Sequence, residues 1–234
     1  MIKQFELTIK NEINLNKKIE WLIRFGVNSV SITSKKDNLN SFEIVDKIRA
    51  KIPEIEFTLN YSIANNYNRN ISEVFSKLIN FISNCQNYKI TRVLLVSGNP
   101  QKSIDTLKML EAVKDMPQDF AVAFNPFINT DEELFRLQQK LKYSNVKSVY
   151  FQLGDNLVQI SAAVEAVRSL RQDLQIFVSV LNPTPQSLNM LKLRPWNGVK
   201  YSREFLSEVE TAASVNQSLE KYCENEKLNI LYVI

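Results

Sequence analysis

Short runs rich in β-branched and aromatic residues alternate with helix-patterned stretches along the whole of this 234-residue chain. Because a parallel strand must return past a covering helix to lie beside its predecessor, such alternation predicts parallel strands and an α/β fold. The intervening stretches carry apolar residues at helical spacing, as at Ile19, Leu22 and Ile23. The predicted strands are Phe5–Ile9, Val27–Thr33, Ile55–Ile63, Thr91–Val96, Phe120–Phe124, Val146–Leu153, Leu174–Val180 and Leu228–Ile234.

Eight strand–helix units predict a closed (β/α)8 barrel of the TIM type, for which about 250 residues is the usual length. No Ser-, Gly- or Pro-rich linker interrupts the alternation. We therefore expect a single barrel domain over residues 1–234. Barrels of this kind place their sites at the carboxyl ends of the strands, so the candidate site residues are sought there.

Charge and hydropathy exclude several classes of protein. The net charge is +4, but Lys and Arg are interspersed with Asp and Glu, so the sequence does not predict a nucleic-acid-binding surface. No apolar stretch reaches the roughly 18 residues that a membrane span needs, and the N-terminus does not resemble a signal peptide. Cys85 and Cys223 lack CxxC spacing and are predicted to be reduced thiols. These features predict a cytoplasmic or other reducing intracellular location.

The residue types that the sequence lacks exclude several kinds of catalytic and metal-binding site. The chain has no histidine, which excludes Ser-His and Cys-His nucleophile pairs, and its two cysteines cannot form the usual structural zinc site. It has four glycines and contains neither GxGxxG nor a Walker-type loop. No metal site is predicted. A site in this chain must use carboxylates, amides, hydroxyls and aromatic rings.

The first strand places one carboxylate where a site could form. Phe5, Leu7 and Ile9 alternate with Gln4 and Glu6, and the apolar set suits packing under helices. We therefore expect Glu6 to point into the barrel. A carboxylate there is either satisfied by a cation or water, or is a general acid kept protonated by the low-dielectric surroundings.

Amides follow the ends of several later strands. Strand four runs into Gly98 and Asn99, strand five ends at Asn125, strand six contains Gln152 and strand seven ends at Asn182. Amides can recognise the donor and acceptor edge of a heterocycle such as a pterin or a flavin. They also favour turns for local reasons, so both interpretations remain open.

Taken in order, these strand ends resemble those of the methylenetetrahydrofolate reductase family, which binds FAD in a (β/α)8 barrel. The family's S-F-E-F-F-P-P, V-S-V-T, A-L-R-G-D-x-P and I-T-Q-F-F-F strands are similar to Phe5-Glu6, Val30–Thr33, Leu95–Pro100 and the strand that contains Gln152. The fifth strand is similar at Val122–Pro126, and the family's seventh, G-I-x-P-x-x-N, is loosely similar to Val180–Thr184.

The resemblance implies a flavoprotein oxidoreductase of one-carbon metabolism, which passes a hydride from reduced FAD to a folate-type substrate. Glu6 would then be the catalytic acid. Gln152 and Asn182 would bind the folate. The residues implied to line the cofactor are Thr33, Val96, Ser97, Gly98, Asn99 and Asn125.

Several positions depart from the family pattern. An Asp on strand four is Asn99 here, the Tyr before Pro on strand five is Asn125, and a His on strand three falls near Thr58. The family continues past the last strand of this chain, whose stretch Tyr201–Lys227 is predicted to form one long helix or two. These departures favour an alternative, a non-catalytic barrel that acts as a binding module or as a subunit of a homo- or hetero-oligomer, whose partner covers the last unit.

A lyase that uses a lysine Schiff base is a third possibility. It would need a lysine on an inward strand position. Lys89, Lys147 and Lys200 precede strands or lie near the opposite mouth, so this hypothesis ranks last.

Overall fold

A computed structural model describes residues 1–9, 11–33, 40–66, 70–96, 105–128 and 130–233. Its strands form a closed parallel barrel in which the strand order follows the chain. The strands are β1 (Lys3–Leu7), β2 (Ser29–Thr33), β3 (Glu56–Ser62), β4 (Arg92–Val96), β5 (Phe120–Phe124), β6 (Val146–Phe151), β7 (Gln175–Leu181) and β8 (Asn229–Val233). The predicted (β/α)8 barrel is thereby confirmed.

Helices fill the intervals between the strands. They are α1 (Glu12–Arg24), α2 (Ser41–Arg49), α3 (Ile63–Asn66), α4 (Ile71–Asn87), α5 (Thr106–Ala112), α6 (Thr130–Lys140), α7 (Leu157–Leu170), α8 (Pro185–Leu193) and α9 (Val209–Asn225). The stretch predicted as one or two helices over Tyr201–Lys227 contains α9 alone, because the residues before Glu208 form turns.

Asparagine begins four of the helices that the structure describes. Asn11, Asn40, Asn70 and Asn156 are the N-caps of α1, α2, α4 and α7, and each side chain accepts a bond from a backbone N–H of the first turn. Asparagine is among the best N-cap residues because its short side chain reaches these otherwise unbonded donors. An asparagine that follows a strand in this sequence is therefore weak evidence of a ligand site.

One face of each strand packs under the helices. The Phe5 ring lies 5.0 Å from that of Trp21 on α1, and the Tyr61 ring on β3 lies 5.1 Å from that of Phe81 on α4. Leu7 and Ile9 are fully buried. The expectation that the Phe5, Leu7 and Ile9 set faces the helices is confirmed for Phe5 by this contact.

The last strand pairs with the first. The backbone N–H of Ile230 donates to the carbonyl of Ile2 over 2.9 Å, and the Ile2 N–H donates to the Asn229 side-chain oxygen over 2.7 Å. This is the closure that the hydrophobic run at the end of the sequence predicts.

The chain divides into two compact units. The first, here the N-terminal unit, comprises Gln4–Val122 and Lys142–Lys147. The second, the C-terminal unit, comprises Met1–Lys3, Ala123–Leu141 and Ser148–Ile234. The assignment of residues 1–234 to one domain stays a prediction.

Two further expectations concern the surroundings of the protein. Among the residues that the structure describes, no helix is long and apolar enough to cross a membrane. Cys85 and Cys223 are buried thiols that form no disulfide, and burial raises the pKa of each to about 12.

Candidate functional site

A buried hydrogen-bonded cluster identifies the lumen face of the N-terminal unit. Gln4 on β1 donates from Nε2 to Ser29 Oγ and to Thr58 Oγ1, both over 3.0 Å. Thr58 lies on β3, so this side chain reaches past β2, as the concave side of a barrel permits. Arg92 Nη1 on β4 also donates to Thr58 Oγ1, over 3.3 Å. All four residues are buried, and Glu6 shares their face because its Cα pairs with that of Ser31 in the parallel register.

A second polar cluster, here called the mouth cluster, lies nearer the carboxyl ends of the same strands. It consists of Glu6, Ser31, Thr33 and Asn60. Thr33 Oγ1 donates to Glu6 Oε1 over 2.8 Å, Asn60 Nδ2 donates to Thr33 Oγ1 over 3.3 Å, and Ser31 Oγ donates to Asn60 Oδ1 over 3.1 Å. Glu6, Thr33 and Asn60 are half-buried, whereas Ser31 is fully buried. The expectation that Glu6 points into the barrel is confirmed.

A lysine of α1 interacts with the Glu6 charge. Burial lowers the pKa of Lys18, because a half-buried ammonium loses hydration, and the Glu6 carboxylate opposes this effect. Glu6 is thus held by the Thr33 hydroxyl and lies in the field of a cation. Its role as a general acid stays a prediction.

The predicted cofactor segment of β4 is only partly described. Val96 ends the strand, is half-buried and pairs in register with Ser62. Ser97, Gly98 and Asn99 lie outside the described residues. Their predicted contact with FAD therefore stays a prediction.

In the C-terminal unit, the segment between α8 and α9 covers strand ends, and residues 194–208 are called the strap here. Asn125, which follows β5, holds it. The Asn125 Nδ2 donates to the Gly198 carbonyl over 2.8 Å, and its Oδ1 accepts from the Phe127 N–H over 3.0 Å. Both ends of this amide are thus engaged with the backbone of the same unit.

Gly154 and Asp155, after β6, hold the strap at a second point. Gly154 forms a parallel bridge with Lys200, and a Cβ on Gly154 would lie 2.4 Å from the Phe127 ring and 2.6 Å from the Lys200 carbonyl oxygen. The Asp155 carboxylate accepts from the Ser202 N–H over 2.9 and 3.1 Å and also from the Ser202 hydroxyl. Only glycine fits at position 154 without displacing Phe127 or the Lys200 backbone.

The two predicted folate ligands lie in this covered region or at the surface. Gln152 is half-buried, and its Oε1 accepts from the Leu153 N–H over 3.2 Å. Asn182 is exposed, and its backbone N–H donates to the Val233 carbonyl.

Apolar strap residues pack on a cluster that includes Leu153 and Leu181; they are Trp196, Val199, Tyr201, Phe205 and Leu206. The folate-binding role of Gln152 and Asn182 stays a prediction.

Sequence reasoning missed part of the mouth cluster. It did not select Asn60 or Ser31, although small polar residues alternate along β2 at Ser29, Ser31 and Thr33. This alternation could have identified a polar lumen. On β3, Asn60 lies beside Thr33, whereas Thr58, where the resemblance placed the family's His, belongs to the deeper buried cluster.

No group of three or more His, Cys, Asp or Glu within the described ranges could hold a metal ion. The lysines that lie on described strands, Lys3 and Lys147, are exposed, and so are Lys89 and Lys200. None of these lysines offers the buried amine that a Schiff-base lyase requires.

No protein-family model and no curated protein matches the sequence. Solved structures do match the fold. A protein from Clostridium thermocellum that binds two copies of 5-methyl-5,6,7,8-tetrahydrofolic acid is 12% identical, with a TM-score of 0.66 over 100% of this chain and 88% of that one. N-acetylneuraminate lyase from Mycoplasma synoviae is 13% identical, with a TM-score of 0.52 over 96% of this chain and 75% of the lyase.

An enolase-superfamily protein from Enterococcus faecalis is 15% identical, with a TM-score of 0.53; the match covers 86% of this chain and 50% of that one. At these identities the likeness shows a shared barrel fold and no more. The same barrel carries many unrelated chemistries, so function has to be argued from the site.

Proposed function

We propose that this protein binds a reduced folate, whose bicyclic ring lies against the mouth cluster of the N-terminal unit. The observation that carries the proposal is the half-buried Glu6 carboxylate, held by Thr33 beside the Asn60 amide at the carboxyl ends of β1 to β3. The methyltetrahydrofolate-binding barrel from Clostridium thermocellum supports the choice of ligand.

The chemistry of the cluster suits a flat heterocycle with polar edges. A pterin ring presents N–H donors and a carbonyl acceptor along one edge. A carboxylate accepts from such donors, and an amide can donate to the carbonyl. Because a half-buried carboxylate is only partly hydrated, its bonds to a ligand are stronger than they would be in open water.

Direct binding tests the proposal. Isothermal titration of 5-methyltetrahydrofolate into the wild-type protein should give saturable binding, and Glu6→Gln should weaken it about tenfold or more, because a charge-assisted hydrogen bond becomes a neutral one. Glu12→Gln makes the same chemical change at an exposed residue that pairs with Lys47, and should leave the affinity unchanged. A wild-type protein that shows no binding would overturn the proposal.

A finer form of the proposal is a methylenetetrahydrofolate reductase-like flavoprotein in which Glu6 supplies a proton to the folate. It rests on the family resemblance. The described residues that the resemblance assigns to FAD fit it poorly. Val96 has no polar side-chain atom, the Thr33 hydroxyl is bonded on both sides, and both ends of the Asn125 amide are engaged. We therefore derive no step through the flavin.

These engaged side chains favour the second candidate, a folate-binding barrel without flavin chemistry that acts as a binding module or a subunit. FAD titration separates the two candidates. A binding module should leave the flavin absorbance and fluorescence unchanged at any protein concentration. Stoichiometric quenching of FAD fluorescence would instead support the reductase.

A further inference from the structure

The three described hydrogen bonds within the mouth cluster run in one direction. Ser31 Oγ donates to the Asn60 carbonyl oxygen, the Asn60 amide nitrogen donates to Thr33 Oγ1, and Thr33 Oγ1 donates to Glu6 Oε1. The series ends on a carboxylate, which accepts but does not donate when it is ionised.

Asn60 sets this direction. An amide has a donor end and an acceptor end, and Ser31 donates to the acceptor end, so the donor end faces Thr33. A threonine hydroxyl has one proton. Since the Thr33 oxygen already accepts from Asn60, its proton goes to Glu6. Thr33 therefore holds and orients the Glu6 carboxylate, which in its ionised form faces a ligand as an acceptor.

We infer that the site selects bicyclic ligands with two adjacent N–H donors on the pyrimidine ring, as in a 2-amino-4-oxopyrimidine, and rejects their 2,4-dioxo counterparts. A carboxylate can accept from both donors at once, whereas a ring carbonyl at the same place would meet it acceptor to acceptor. The inference rests on the proposed folate function and adds the ligand class and a positioning residue, Asn60.

The test compares 5-methyltetrahydrofolate with its 2-deamino-2-oxo analogue, in which a carbonyl replaces the amino group at ring position 2 and the nitrogen at position 1 gains a hydrogen. Isothermal titration of the wild-type protein should show at least about tenfold tighter binding of the 2-amino compound. Equal affinity for the two compounds would overturn this inference and leave the proposed function standing. A wild-type protein that binds neither compound would overturn both.

Two variants test the role of Asn60. Asn60→Asp replaces the donor end by a carboxylate oxygen, to which Thr33 would then donate in place of Glu6. The Glu6 carboxylate would lose the bond that orients it, so the preference for the 2-amino compound should shrink several-fold. Ser31→Ala removes the bond that orients the amide and should shrink the preference less. The readout is the ratio of the two affinities, which a general loss of packing would not change.

Asn156→Asp is the matched control. It makes the same amide-to-carboxylate change at the N-cap of α7, where an aspartate serves equally well. Its affinity ratio should equal that of the wild-type protein. An unchanged ratio in both Asn60→Asp and Ser31→Ala would show that the series does not set ligand choice and would overturn the positioning role.

Discussion

The two units use polar side chains at their strand ends for different purposes. In the N-terminal unit, the Asn60 amide belongs to a series of hydrogen bonds that ends on the half-buried Glu6 carboxylate. In the C-terminal unit, the Asn125 amide holds the backbone of the strap. The same residue type, inside β3 in one unit and directly after β5 in the other, thus supports a candidate ligand site in the first and a structural contact in the second.

The physical difference lies in what each side chain is bonded to. Asn125 bonds only backbone groups among its described contacts, and these groups would lose their partner if the side chain changed. Asn60 bonds two hydroxyls, and one of them, that of Thr33, donates a hydrogen bond to a carboxylate. Backbone partners indicate an architectural role, whereas a side-chain network that includes a charged group indicates chemistry. Substitutions in the two units should therefore have opposite effects on stability and on binding.

The largest effect on stability is expected at Gly154. In Gly154→Ala, the added methyl group would lie 2.4 Å from the Phe127 ring and 2.6 Å from the Lys200 carbonyl oxygen, so the strap backbone must move. We expect the free energy of unfolding to fall by about 2–4 kcal/mol, as measured by urea denaturation. Binding of 5-methyltetrahydrofolate by the folded variant should stay within about twofold of wild type, because the contacts described for Gly154 are with Phe127 and Lys200 and not with the mouth cluster.

Gly26→Ala is the control for this prediction. Gly26 has a positive φ of +60° but no atom within 4 Å of the added methyl group. The free energy of unfolding of Gly26→Ala should fall by only about 1 kcal/mol, which is the cost of a left-handed backbone at a residue with a side chain. If Gly154→Ala lost no more stability than Gly26→Ala, the strap would not be held where the structure has it.

The barrel was predictable from the sequence because its signals are repeated. Every strand run is apolar on one face, and each strand observed lies within about two residues of the predicted bounds, as with Phe120–Phe124 and β5. The orientation of Glu6 was also predictable. Alternation on β1 makes Phe5 and Leu7 the helix-facing set, and the register then puts Glu6 beside Ser31.

The site was less predictable because amides are ambiguous. Asn125 and Gln152 follow strands in the way that ligand-binding residues do, yet the described bonds of their side chains run to nearby backbone groups and to the strap. The sequence predicted helix over the second half of the strap, from Tyr201 onward, where the structure has turns, so it did not indicate which strand ends the strap would cover. Asn60 was passed over because it lies inside a strand and not after one, although Thr58, Asn60 and Ser62 alternate there with apolar residues.

A smaller effect on stability is expected at Asn125. Asn125→Asp keeps the oxygen that accepts from the Phe127 N–H and replaces the Nδ2 donor by an oxygen that faces the Gly198 carbonyl. The lost bond and the repulsion between two acceptors should lower the free energy of unfolding by about 1–3 kcal/mol in urea denaturation. Affinity for 5-methyltetrahydrofolate should not change, since the mouth cluster is untouched.

The control again is Asn156→Asp, whose side chain keeps the bond it accepts from the Gln159 N–H and should keep its stability. Asn125→Asp also tests the flavin hypothesis, because the resemblance places Asn125 beside FAD. If the substitution changed FAD or folate affinity by tenfold while leaving stability intact, Asn125 would be a ligand residue and the contrast between the two units would fail. Loss of stability with unchanged binding would establish that this amide serves the strap, and would leave Glu6 and Asn60 as the residues on which ligand recognition depends.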